Sequence, residues 1–180
     1  AHGKARFPSY EDAERHRQHL IDYLASVTMI DEQMGRVIDE LDSQGVLHET
    51  VIIYTSDHGH MNGQYGLVAK GNSTHPQNLL HGSLHVPCIW RGPGIREIAA
   101  SDIPVDHCDL HVSLAELAEG ATDELANLRP GGSYLPMVGG ESNDGWRDWQ
   151  VSEYGNVRAW TNERWKYIEA PTPELYDLEA

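Results

Sequence analysis

From residue 9 to residue 44 the apolar side chains Leu20, Tyr23, Leu24, Val27, Ile30, Met34, Val37, Ile38 and Leu41 recur at steps of three and four. That period places them on one stripe of a helix and predicts a long amphipathic helix with the stripe buried. Ser9, after Pro8, fits an N-cap, and Gly45 stands where a C′ glycine would. Val51–Thr55 is a β-branched and aromatic run without polar alternation, the pattern of a parallel strand buried on both faces. A second apolar run, Val86 to Trp90, leads into the turn residues Arg91-Gly92-Pro93-Gly94. Leu110, Leu114 and Leu117 predict a short helix over Asp109–Ala118, with Gly120 beyond it.

Past Arg129 the texture changes. Glycine pairs punctuate a loop, and four short aromatic runs follow: Trp149–Tyr154, Val157–Thr161, Trp165–Ile168 and Leu175–Leu178. They predict a small antiparallel meander whose aromatic residues form its core. The expected fold is α/β: part of a mainly parallel sheet flanked by helices over residues 1–128, then a small antiparallel subdomain over residues 129–180. Trp160 and Trp165 are read as core side chains rather than sugar-stacking platforms.

Composition changes this picture in three places. With 180 residues, 39% hydrophobic and 23% charged, the chain is an ordinary globular one, without an apolar run long enough to span a bilayer. Its formal net charge of −15 and lack of a basic stripe argue against nucleic acid as a partner. Ala1-His2-Gly3-Lys4 carries no apolar signal region, and a start without Met is expected of an internal piece. Cys88 and Cys108 lack CxxC spacing and are expected as buried thiols. Of eleven histidines, five fall between His58 and His85, which marks where chemistry is to be sought.

That stretch opens with Ser56-Asp57-His58-Gly59 at the carboxyl end of the first predicted strand, the edge where open α/β sheets bind ligands. Asp57 and His58 side by side suit a divalent ion, and Lys70 could neutralise an anionic group held there. The plainer reading is that Asp57 caps a turn and His58 is an ordinary half-buried histidine. His60 follows the pair by two, and either touches substrate or is a solvated loop residue. His75, His81 and His85 are expected at the surface or in packing.

Ser56-Asp57-His58-Gly59, Gly63-Gln64-Tyr65-Gly66-Leu67 and Lys70-Gly71 together resemble the second metal-binding signature of the sulfatases, in the alkaline phosphatase superfamily. Asp31-Glu32-Gln33-Met34-Gly35-Arg36-Val37 resembles the helix before that family's signature strand. Val86-Pro87 with Arg91-Gly92-Pro93-Gly94 resembles its next strand and turn, and Asp109-Leu110 with Leu114 its following helix. Arg158, Trp165-Lys166-Tyr167 and Glu174-Leu175-Tyr176-Asp177-Leu178 resemble its C-terminal meander.

The resemblance implies a sulfuric ester hydrolase. Asp57 and His58 would be two ligands of a calcium ion. Lys70 would contact the sulfate, His60 would lie at the substrate, and a formylglycine upstream would supply the nucleophile. It implies a sulfated small molecule or glycan as substrate, and a periplasmic, extracellular or lysosome-like compartment for the intact protein. Two departures stand out. The Cys/Ser-x-Pro-x-Arg signature and the N-terminal acidic metal pair are absent, so the chain is expected to need the missing N-terminal half of the fold and to be inactive alone. Before Val86-Pro87 the family's acidic residues and Arg are replaced by His81-Gly82-Ser83-Leu84-His85. Two rivals share much of this pattern: a phosphonate or phosphate ester hydrolase using manganese or zinc, and a non-catalytic remnant that binds metal or glycan.

Overall fold

A computed structural model describes residues 13–97, 100–118 and 130–179. The expected cap at Ser9, the first residues of the long helix and Gly120 lie outside them. Helix α1 runs Ala13–Ser43. It ends in a Schellman motif: the Val46 amide donates to Leu41 O (3.0 Å) and the Gly45 amide to Asp42 O (2.8 Å), with Gly45 at φ 71°. The apolar stripe is present, but its expected burial is not observed. Leu24 is 61%, Val27 46% and Val37 58% exposed, Met34, Ile38 and Leu41 are half-buried, and no residue of α1 is fully buried.

After a 3₁₀ turn at Leu47–Glu49 come β1 (Ile52–Thr55), β2 (Met61–Asn62), β3 (Val68–Ala69), α2 (His81–Leu84) and β4 (Cys88–Arg91). The mainly parallel sheet expected here is not seen. β1 pairs with β4 antiparallel, Thr55 opposite Cys88 and Ile52 opposite Arg91, and β2 pairs antiparallel with β3. Among the described residues β1 and β4 pair only with each other, as a ribbon, and the apolar residues of β1 are half-buried rather than enclosed. Cys88 and Cys108 are exposed thiols, not the buried ones expected, since β4 keeps an open face and Cys108 sits in the first turn of a helix.

That helix, α3 (His107–Leu117), starts with a reciprocal capping box: Asp106 accepts from the Cys108 and Asp109 amides, and Asp109 accepts from the Asp106 amide. Asp109 is fully buried and meets Arg147, which also reaches Asp106 (3.2 Å) and Gln150 (3.2 Å). The carboxylates hold Arg147 still more firmly in its charged form, with the hydrogen bond to Asp109 the largest cause. The Trp146 indole donates to Pro104 O (2.8 Å), and buried Ser113 accepts from the Tyr134 amide at the start of α4 (Leu135–Val138).

β5 (Trp149–Tyr154), β6 (Val157–Asn162), β7 (Trp165–Glu169) and β8 (Glu174–Asp177) pair in sequence order as an antiparallel meander. Alternate residues of β6 and β7 are buried: Val157, Ala159, Lys166 and Ile168. The aromatic residues expected as its core point the other way: Trp149, Trp160, Trp165 and Tyr167 are all exposed. Strand alternation gave the buried face to the small and aliphatic residues and to Lys166. The chain divides into two compact units: residues up to Pro93 with Ser152–Arg158 and Ile168–Pro173, and Gly94–Val151 with Ala159–Tyr167 and the residues from Glu174 onward.

Candidate active site

The site grows from the end of β1, where the chain leaves the strand at Ser56 and turns at once. Ser56 Oγ donates to His58 O (2.9 Å), which fixes the turn. The Gly59 amide donates to Ser83 O (2.9 Å), and a Cβ on Gly59 would lie 2.2 Å from Gly82 O, so only glycine lets this loop lie against α2. Fully buried Met61 then anchors β2 below the site.

The β2–β3 hairpin carries the chain back, with Met61 opposite Ala69, and delivers Lys70 beside His58. Ala69 takes φ 78°, a left-handed conformation that costs a non-glycine residue energy and fixes the direction in which Lys70 leaves the hairpin. Lys70 Nζ lies 2.8 Å from His58 Nε2, and Asp57 Oδ2 lies 3.4 Å from the same nitrogen. His58 Nδ1 lies 2.9 Å from Gly59 O. An Nδ1–H donated to that carbonyl leaves the Nε2 lone pair facing the lysine and the carboxylate.

Beyond Lys70 the loop is tied down by Asn78. Its side chain reaches Gly71 O (3.3 Å) and Ser73 Oγ (3.3 Å) and accepts from buried Ser83 Oγ (3.0 Å). Sequence reasoning did not mark Asn78 or Ser83, and their separation from Lys70 along the chain gives no periodic signal.

His60 is half-buried, and its pKa is lowered by burial first and then by His19 and His58, so it is a neutral imidazole at physiological pH. His19 and His16 come from α1. His16 Nε2 lies 2.8 Å from Asn62 O and His19 Nε2 3.0 Å from Asn62 Oδ1. Gly63, at φ 101°, packs on His16, where a Cβ would lie 2.4 Å from the ring. The spacing of three between His16 and His19 was readable as one helix face, but nothing in the sequence said what that face meets. His75, His81 and His85 are exposed, the last two with rings 4.5 Å apart.

Asp57, His58 and Lys70 therefore stand together, with His60 nearby. An imidazole nitrogen and a carboxylate directed to one place suit a divalent cation, and the Lys70 ammonium stands beside them. Among the described residues no group of three or more acidic, His or Cys side chains forms a metal cluster.

The sequence profile described as Sulfatase matches residues 2–121, most of the chain. The chain belongs to the sulfatase family. It is 35% identical over 163 residues to the choline-sulfatase of Rhizobium meliloti, a match covering 88% of this chain and 30% of that protein. This sulfatase chain thus spans about a third of the length of curated relatives it matches. Its fold is shared with a protein solved in complex with its substrate D-glucosamine-2-N,6-O-disulfate (TM-score 0.75, 24% identity, 91% of this chain and 35% of that one). It is shared equally with the phosphonate monoester hydrolase of Silicibacter pomeroyi (TM-score 0.74, 23% identity, 84% and 33%).

Proposed function

We propose that this chain is a segment of a sulfuric ester hydrolase in which Asp57 and His58 supply two metal ligands and Lys70 meets the anionic ester. The observation that carries the reading is the convergence of Lys70 Nζ and Asp57 Oδ2 on His58 Nε2, at 2.8 and 3.4 Å. A sulfate monoester carries negative charge that repels a nucleophile, and cationic donors aimed at its oxygens lower that barrier. Lys70 donates protons of its ammonium group toward an ester oxygen, and its charge offsets that of the departing oxygen. His58, held through Nδ1 to Gly59 O, orients Nε2 toward the site, and the largely exposed Asp57 carboxylate lies beside it. His60, neutral, borders the substrate. When bound, a divalent ion, calcium in this reading, polarises the ester oxygens.

The nucleophile, a formylglycine, belongs to a segment outside these 180 residues, and this chain alone is inactive. β1 and β4 fit the edge of a larger, mainly parallel sheet to which that segment adds. The intact protein acts on a sulfated small molecule or glycan in a periplasmic, extracellular or lysosome-like compartment. Among the described residues no helix is long and apolar enough to cross a membrane.

The likeness to a phosphonate monoester hydrolase favours a second reading, a phosphonate or phosphate ester hydrolase with manganese or zinc at the same ligands. Matched sulfate and phosphonate monoesters offered to the full-length protein separate the two. A preference for sulfate esters, reduced ~100-fold or more in Lys70→Ala, is expected. A preference of orders of magnitude for the phosphonate would transfer the same residues to the second reading.

A further inference from the structure

Outside the Asp57–His58–Lys70 cluster, a pair of imidazoles takes no part in the proposed chemistry. His81 and His85 stand four residues apart, at the start and just past the end of the single turn of α2, and the His85 amide closes that turn on His81 O (2.8 Å). Side chains at that spacing share one helix face. Their ring centroids are 4.5 Å apart, and both residues are exposed. The turn that carries them is braced through buried Ser83. Its amide donates to Leu80 O (2.9 Å), its Oγ donates to Asn78 Oδ1 (3.0 Å), and its carbonyl accepts from the Gly59 amide (2.9 Å).

We propose that His81 and His85 together bind a borderline divalent transition ion, of the zinc and copper class, through one nitrogen of each ring. Two imidazoles held this close resist carrying positive charge together, which favours a cation over an anion as their ligand. Imidazole suits zinc and copper, whereas calcium prefers oxygen donors. Rotation about the side-chain bonds brings one nitrogen of each ring to about 3 Å from the other, the spacing of neighbouring donors each about 2.0–2.1 Å from a zinc ion. The second nitrogen of each ring stays available for an outer hydrogen bond. Among the described residues no third acidic, His or Cys side chain completes a metal cluster with the pair, so the ion keeps water in its remaining positions and is not shared with Asp57 and His58. An ion held there cross-links the ends of the turn on which Gly59 packs, and it stabilises the folded chain that positions both donors.

The test titrates the full-length protein with Zn2+ in excess calcium at mildly alkaline pH, followed by calorimetry and by the thermal midpoint. Zn2+ is expected to bind the unaltered protein and to raise its Tm. His81→Ala and His85→Arg, both at exposed positions, should each weaken that binding about tenfold or more and remove the rise in Tm, while Asp57→Ala keeps both. With Cu2+ as the probe, electron paramagnetic resonance of the unaltered protein should show coupling to two imidazole nitrogens, and the variants should lose it. Zn2+ binding that is absent from the unaltered protein, or unchanged in both histidine variants, overturns the proposal. Binding lost in Asp57→Ala but retained in the histidine variants places the ion at the candidate active site and overturns it as well. None of these outcomes touches the hydrolase reading, which ester turnover tests separately.

Discussion

Lys166 is 5% exposed on the buried face of β7, and burial lowers its pKa from 10.5 to about 8. The unfolded chain holds that proton more tightly than the folded one, so the group destabilises the fold fully below about pH 8. The penalty fades as pH rises from there to the ordinary lysine range. It is of order 3 kcal/mol or less at neutral pH. Lys166→Met should therefore raise stability at pH 7 by about 1–3 kcal/mol and flatten its dependence between pH 8 and 10, as read by chemical denaturation. An unchanged midpoint and slope would mean that the amine is solvated. At this scale the sequence was most legible where the marked residues lie close along the chain: Asp57, His58 and Lys70 were all marked, and the fold brings their side chains together. His16, His19 and Asn62 were not marked, since their meeting depends on how α1 lies on β2.

Among elements, α1, α3 and the four-stranded meander follow from hydrophobic period and turn residues. Burial did not follow. Period identifies a stripe or a face, but what covers it is a tertiary fact. So most of the α1 stripe is exposed, with Met34, Ile38 and Leu41 half-buried, the meander buries Val157, Ala159 and Ile168 instead of its tryptophans, and β1 pairs antiparallel with β4. The start of α3 shows the same limit. Its capping box is local and readable, but the Arg147 that clamps buried Asp109 comes from 38 residues away. Removing one partner of such a buried pair leaves a charge without compensation. Arg147→Met is expected to destabilise the fold by about 3–5 kcal/mol, measured by denaturant titration, with Asp109→Asn also destabilising. A change below about 1 kcal/mol would show that the pair is solvated in practice.

For the whole molecule, the chain spans about a third of the length of curated sulfatase relatives it matches, and its described residues expose apolar surface. A chain of about a third of its relatives' length presents Leu24, Val27, Ile30 and Val37 of α1 and a sheet ribbon with open faces. Apolar area of this kind drives association when nothing covers it. The 180 residues expressed alone are expected to be poorly soluble and to associate through α1 in sedimentation experiments. A cooperative thermal transition in dilute monomeric solution would contradict that. On the proposed reading Asp57 and His58 would be two ligands of a calcium ion that takes roughly 6–8 oxygen or equivalent donors, so the remaining donors would come from the longer protein.

The most direct measurement is made on that full-length protein: bound calcium and sulfate release, side by side, for the unaltered chain and for Asp57→Ala. The Asp57 side chain is 82% exposed, so its removal should leave the fold intact. Joint loss of the metal and of sulfate release is the expected result. Sulfate release that persists in Asp57→Ala would contradict the assignment of this site.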